Sequence, residues 1–151
     1  MTLTREVADA SAMEALGGML ANGLRAGEVI FLHGELGAGK TTFVRGMLRA
    51  LGYTGSVKSP TFTLVEPYQI AQAQVFHFDL YRMRDPEELE FLGIRDYLQE
   101  EGVCIVEWPE RGEGILPQPD VDVFIDRVDH GRTVRLVSHT DNGAVLLGGL
   151  R

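Results

Sequence analysis

The run Gly34-Glu35-Leu36-Gly37-Ala38-Gly39-Lys40-Thr41 has the spacing G-x-x-x-x-G-K-[ST], and its residue types are suited to grip a triphosphate. The glycines let successive backbone N–H groups turn inward around phosphate oxygens. Lys40 can reach the β and γ oxygens, and the Thr41 hydroxyl can ligate Mg²⁺. Two carboxylates compete for the other metal-side position. Val103-Cys104-Ile105-Val106 runs into Glu107, and Val75-Phe76-His77-Phe78 runs into Asp79. Both acids would stand at the C-terminal end of a strand, where ligands of open parallel sheets collect. The run before Glu107 is apolar throughout, as in a central strand next to the loop's own strand, whereas His77 gives the run before Asp79 a half-exposed pattern. Glu107 is therefore assigned to Mg²⁺ and Asp79 to positioning water or supporting the site. For either acid a solvent-facing strand end is the plainer alternative. His77 has no Cys or His companions and is expected to face a helix or solvent rather than a metal.

The elements that must position these groups are legible on both sides of the loop. Val29-Ile30-Phe31-Leu32 reads as a buried strand feeding straight into it. Residues 40–51 read as a helix, with Phe43, Val44, Met47, Leu48 and Leu51 on one stripe and Gly52 as its stop. A loop that opens a helix offers N–H groups and a dipole to an anion. Upstream, Asp9 or Ser11 can cap a helix carrying Met13, Leu16, Leu20 and Leu24 and ending at Gly27, although Gly17, Gly18 and Gly23 weaken it. Residues 9–11 could also touch a base.

Downstream, residues 53–59 read as a loop, and Ser59-Pro60-Thr61-Phe62 leads into an alternating run over 61–68. A Ser/Thr pair around a proline at this distance suits a switch reading a γ-phosphate, and equally an edge strand begun by proline. Residues 69–74 read as a turn before the strand over 75–79. Asp85-Pro86-Glu87-Glu88 combines a cap, a first-turn proline and a capping box, so a helix follows, with a bend at Gly93. Residues 121–128 and 133–139 alternate around Asp129-His130-Gly131-Arg132 and predict a hairpin. The tail over 140–151 is Gly-rich and weakly patterned. The fold class expected is α/β, with a mainly parallel sheet of the P-loop NTPase type, flanking helices and a C-terminal antiparallel hairpin.

With 151 residues, 44% of them hydrophobic, the chain suits one domain over 1–151 with a full core. Neither a signal peptide nor a membrane span is indicated, so a cytoplasmic location is expected. The single cysteine, Cys104, sits in an apolar run and reads as buried and unreactive. A net charge of −8 disfavours holding RNA unaided, because phosphates must be met by several cations. Arg45, Arg49 and Lys58 could form a local basic patch, or simply a solvated helix face.

Assembled in order, the blocks Gly34 to Thr42, Lys58-Ser59-Pro60-Thr61-Phe62-Thr63, His77-Phe78-Asp79-Leu80-Tyr81-Arg82, Glu88-Leu89-Glu90, Gly93-Ile94 and Val106-Glu107-Trp108-Pro109 resemble the bacterial tRNA threonylcarbamoyladenosine biosynthesis ATPases, the TsaE (YjeE) family. The resemblance runs nearly end to end. It implies ATP and Mg²⁺ as cofactors, with Gly37, Ala38, Gly39, Lys40, Thr41 and Thr42 around the phosphates and Thr41 and Glu107 on the metal. Asp79 would lie beside the γ-phosphate, Thr61 would belong to a switch-like loop, and Arg132 and residues near Ser11 would flank the base. It also implies two protein partners, the TsaD and TsaB subunits, with tRNA reached indirectly through them and no membrane. The transfer reaction itself would belong to the partners.

Two other classes use the same loop. A small nucleoside or nucleotide kinase needs an acceptor pocket and an arginine-bearing lid, yet Arg82, Arg84, Arg95 and Arg111 are scattered. A nucleotide-controlled interaction module would need no turnover.

Overall fold

The computed structural model describes residues 1–70, 73–99 and 102–151. Seven strands form one sheet: β1 Thr2–Val7, β2 Val29–His33, β3 Val65–Ile70, β4 Ala73–Asp79, β5 Gly102–Glu107, β6 Val121–Val128 and β7 Gly131–Ser138. Their spatial order is β1-β7-β6-β2-β5-β4-β3. The phosphate-loop strand β2 is central and runs parallel to both β5 and β6, and β5 runs parallel to β4. Antiparallel pairs complete both edges, β3 with β4 on one side and β6 with β7 and β7 with β1 on the other. This is the expected fold class, a P-loop NTPase-type α/β sheet with a C-terminal hairpin.

Helices α1 Ala10–Ala21, α2 Lys40–Ala50 and α5 Asp141–Gly148 cover one face. The short helices α3 Glu87–Leu92 and α4 Ile94–Gln99 cover the other. Strand alternation divides the core accordingly. Ile30, Leu32, Val103 and Ile105 pack with Phe43, Met47 and Leu48 of α2. Val29, Phe31, Cys104 and Val106 point the other way, toward Leu89 and Ile94. Cys104 is buried, as its apolar run requires.

The glycines that weakened α1 on propensity have a packing reason. A Cβ at Gly17 would stand 2.2 Å from the Phe43 carbonyl oxygen, and one at Gly46 would stand 2.0 Å from that of Glu14. The two helices touch backbone to backbone, so helix propensity yields to tertiary contact. Asp9, not Ser11, caps α1, its carboxylate accepting from the Ala12 N–H at 2.9 Å. Gly27 ends nothing, because α1 already stops at Ala21.

Elsewhere the chain departs from its sequence pattern in specific ways. Strand β1, unexpected from the sequence, pairs along the outer edge of β7. The weakly patterned tail holds α5, capped by Thr140, whose hydroxyl accepts from the Gly143 N–H at 3.0 Å and donates to Asp120 at 2.6 Å. Strand β3 begins at Val65 rather than at 61. The turn expected over 69–74 is shorter, since Gln69 already pairs with Gln74, and its centre lies outside the described residues. The capping box at α3 is present: Asp85 accepts from the Glu87 N–H at 2.9 Å, and Glu88 accepts from the Asp85 N–H at 3.1 Å. Gly93 supplies the bend between α3 and α4 in a left-handed conformation.

Strand β4 corrects one expectation. It is not half exposed: it lies between β5 and β3, and Val75, His77 and Phe78 are all fully buried. A histidine gave the run an amphipathic pattern, but the histidine has a partner inside.

Candidate functional site

The alternation that sorts the core also sorts the chemistry. Val75, His77 and Asp79 share one face of β4, and Val103, Ile105 and Glu107 share the same face of β5, the face covered by α2. Asp79 and Glu107 are direct partners in the parallel register, so both acids arrive side by side at the strand ends. Between β2 and α2 the loop turns back, with Gly37 at φ +75° and Gly39 at φ +121°, values open to glycine at little cost. Gly39 stands at the head of α2, and its carbonyl accepts from the Phe43 N–H at 2.9 Å.

Two cavities meet across this loop, both lined by Gly37, Gly39 and Thr42. The first, about 350 Å³, adds Ala8, Asp9, Met13, Ala38 and Arg132. The second, about 360 Å³, adds Lys40, Thr41, Thr61, Asp79, Glu107 and Trp108. An elongated ligand therefore has room for one end on each side of a backbone rich in N–H groups. Every expected site residue except Ser11 and Gly34 lines one of the two. Ser11 is exposed on the first turn of α1, which gives Ala10 and Met13 to the cavity instead. Gly34 contributes its carbonyl, which accepts from the Lys40 ammonium.

Lys40 is held inside the site by more than its loop. Its ammonium lies 3.9 Å from the centre of the Trp108 ring. Burial pushes its pKa below the ordinary lysine value, against the opposing pull of Glu107, Asp79 and Glu110. Trp108 takes up this place with a left-handed backbone, φ +57°, uncommon for a bulky residue. Tyr81 packs beside it, ring centres 5.0 Å apart.

The two acids have different partners. Asp79 is engaged at both oxygens: Oδ1 accepts from the Tyr81 N–H at 3.0 Å, and Oδ2 accepts from Ser59 at 2.7 Å and Thr61 at 3.1 Å. The loop that could have been a switch or a proline-led strand is thus a loop tied to the site by both hydroxyls. Glu107, 3% exposed, meets the His77 ring at Oε2, 2.6 Å from Nε2. His77 is completely buried, and its Nδ1 has no hydrogen-bond partner. An unpaired ring N–H in the core would be costly, whereas a bare lone pair costs less, so the arrangement favours the tautomer that donates from Nε2 to Glu107. Sequence reasoning placed His77 on a helix or solvent and missed this contact. The signal was parity: 77 and 79 must share a face.

A magnesium ion is a hard cation that takes oxygen ligands, and the donors here are of that kind: the Thr41 hydroxyl and the Glu107 carboxylate on one cavity wall. The fixed orientation of Glu107 by His77 is the support such a ligand needs. The residues fit the group.

The arginines near the loop are occupied. Arg132 donates from Nε to the Ala38 carbonyl at 2.8 Å and from Nη1 to that of Gly131. Arg127 donates from Nη2 to the Leu36 carbonyl at 2.7 Å. Two members of the suspected basic patch are also spent locally: Arg45 pairs with Glu14 at 3.3 Å, and Arg49 holds the Tyr53 and Gly55 carbonyls.

The sheet and its loop define an α/β protein of the P-loop NTPase type. Residues 7–134 match the family model described as threonylcarbamoyl adenosine biosynthesis protein TsaE. A protein of Haemophilus influenzae named tRNA threonylcarbamoyladenosine biosynthesis protein TsaE is 55% identical over 115 residues, 76% of this chain and 73% of that one. A Bacillus subtilis protein of the same name is 46% identical over 101 residues, 67% and 63% of the two chains. The crystal structure of Bacillus subtilis YdiB superposes with a TM-score of 0.87 at 30% identity, covering 99% of this chain and 94% of that one. The chain belongs to the TsaE family.

Proposed function

We propose that this chain is a Mg²⁺-dependent ATPase of one working unit over 1–151, cytoplasmic, that serves tRNA N6-threonylcarbamoyladenosine modification as an accessory to the TsaD and TsaB transferase subunits. The observation that carries the reading is the pair of cavities joined by the phosphate loop, with Lys40, Thr41, Asp79 and Glu107 grouped around one of them. The names of the relatives supply the pathway.

In this reading the base lies in the cavity of Asp9, Met13 and Arg132, whose guanidinium flanks it while held by the Ala38 and Gly131 carbonyls. The Gly37 to Thr42 N–H groups surround the phosphates. Lys40 leaves the Gly34 carbonyl and the Trp108 ring to meet the β and γ oxygens. Thr41 and Glu107 would hold the Mg²⁺, which when bound supplies neutralisation of phosphate charge. Asp79 orients the attacking water, and its bonds to Ser59 and Thr61 carry the state of the γ-phosphate into the 59–64 loop.

Partner dependence follows from where the cations are. Phosphoryl transfer gains most from a positive charge placed on the γ-phosphate, and the arginines closest to the loop are bound to its carbonyls. Turnover alone is therefore slow and rises in the complex. A kinase reading loses ground, since Arg82 lies over Phe62, Arg95 pairs with Glu90 and Arg111 lies over Tyr81 rather than on a lid.

The test begins with a nucleotide titration of Lys40→Ala: affinity equal to the parent's would end the P-loop reading. Purified chain, transferase subunits, tRNA and the threonylcarbamoyl donor are then combined with ATP or a non-hydrolysable analogue. Multiple turnover is expected with ATP only. Equal turnover with the analogue removes the hydrolytic role, and an ATPase rate indifferent to the subunits removes the coupling.

A further inference from the structure

The hairpin β6–β7 places Arg127 directly opposite Arg132, so their side chains leave the same face. Two like charges at facing positions cost a hairpin stability. Each guanidinium is instead paired with a carbonyl of the phosphate loop, Arg127 with Leu36 at 2.7 Å and Arg132 with Ala38 at 2.8 Å. The loop accommodates them: a Cβ at Gly37 would stand 2.7 Å from Arg127 Nη2, so the guanidinium lies against the bare glycine.

The two carbonyls are alternate ones, and that spacing matters. Every peptide among the described residues is trans. In a trans peptide the carbonyl of one residue and the N–H of the next point in opposite directions. A carbonyl of Leu36 drawn toward Arg127 turns the Gly37 N–H away from the hairpin, and a carbonyl of Ala38 drawn toward Arg132 does the same for the Gly39 N–H. Gly37 and Gly39 line both cavities.

We infer that Arg127 and Arg132 form a clamp on the C-terminal hairpin that sets the peptide planes 36–37 and 38–39, holding two phosphate-facing N–H groups in the binding orientation before any nucleotide arrives. They are positioning residues that act through the loop backbone, and the inference rests on reading that loop as the phosphate cradle. Without the clamp the glycine-rich loop samples other peptide orientations, and binding must first select the correct one.

The experiment measures amide hydrogen exchange and NMR resonances of Gly37 and Gly39 in the nucleotide-free full chain, alongside MgADP affinity by titration. The variants are Arg127→Gln, Arg132→Gln, Arg127→Lys and Lys40→Ala. Each Gln variant is expected to shift and speed exchange of its own peptide's N–H, Gly37 for Arg127 and Gly39 for Arg132. Each should also weaken MgADP by about tenfold, the size of one charged hydrogen bond. Arg127→Lys should recover part of both effects, because a single N–H serves the Leu36 carbonyl. Affinity that falls while both glycine amides stay unchanged would show the arginines touching nucleotide directly and overturn the clamp. Amides and affinity both unchanged would overturn it too. The exchange readout needs no ligand, so a parent that bound no MgADP, or a Lys40→Ala variant that bound it normally, would sink the nucleotide reading while the clamp was still decided.

Discussion

At the scale of single residues, the hydrogen bond from His77 to Glu107 separates the two acids of the site. Glu107 is steered by a buried ring, and Asp79 by the hydroxyls of the 59–64 loop. His77→Leu removes the donor and keeps the volume roughly, so Glu107 loses the contact that orients it. The expected result is about a tenfold higher Mg²⁺ requirement for nucleotide binding, the scale typical of a ligand's supporting partner. Asp79→Ala is expected to leave the Mg²⁺ requirement near the parent's and to lower turnover. Metal titrations of both variants check this, and the reverse pattern would exchange the roles of the acids.

A second residue-scale consequence lies outside the site. Asp122 is partly buried, which raises a carboxyl's pKa, yet bonds from His33 at 2.5 Å and His139 at 2.6 Å carry it below the ordinary value. A folded pKa below the unfolded one contributes stability above the unfolded value, near 4, and that contribution is lost as pH falls through the folded value. Asp122→Asn should therefore be less stable than the parent at pH 5, with the gap closing as pH drops below about 4. Denaturant unfolding of the two proteins across that range is the check, and a gap that widened on acidification would refute it.

Among the elements, the helix pair α1 and α2 sets where the phosphate loop can go. The Gly17 and Gly46 contacts bring the two backbones together, and α2 begins at the loop's lysine. Gly46→Ala would raise helix propensity by about 1 kcal/mol and force a backbone shift costing more, so a net loss of about 2 kcal/mol is expected. Thermal unfolding measures it, and a variant more stable than the parent would mean that the close approach relaxes freely.

The same scale explains what the sequence revealed. Strand β2, the loop and α2 were legible because a buried strand, a glycine turn and an amphipathic helix each leave a periodic trace. The capping box of α3 and the hairpin were legible through local chemistry. Strand β1 left little trace, since its residues alternate between exposed and intermediate burial until Val7 and its partner β7 lies more than a hundred residues away. Helix α5 was hidden by its glycines, and the partner of His77 by distance along the chain. Thr61, Asp79 and Glu107 could be named singly from motifs, but that Ser59 joins Thr61 on Asp79 required the fold.

For the whole molecule, the order of strands decides how the site comes into being. The central strand β2 has its partners far along the chain, in β5 and β6, and β6 is itself completed by β7. Every motif residue up to Trp108 precedes the hairpin. A chain ending at residue 120 would contain the phosphate loop, both acids and the 59–64 loop, yet leave one edge of β2 bare and β1 without a mate. Such a fragment is expected to aggregate or to show no cooperative unfolding and no nucleotide binding, which calorimetry and titration would show. A folded, binding-competent fragment would contradict this account.

During synthesis, then, the chain carries a complete set of motif residues well before it carries a site. Ribosomes add residues from the N-terminus at about 5–20 per second, so the interval between Trp108 and the end of β7 at Ser138 lasts a few seconds. Throughout it the apolar strand β2 lacks the neighbour that will cover its edge, and nucleotide in the surrounding solution has no finished loop to stabilise. Assembly of the cradle is timed by the last strands to emerge, which on the proposed reading makes the hairpin the point at which a nascent chain becomes able to respond to ATP.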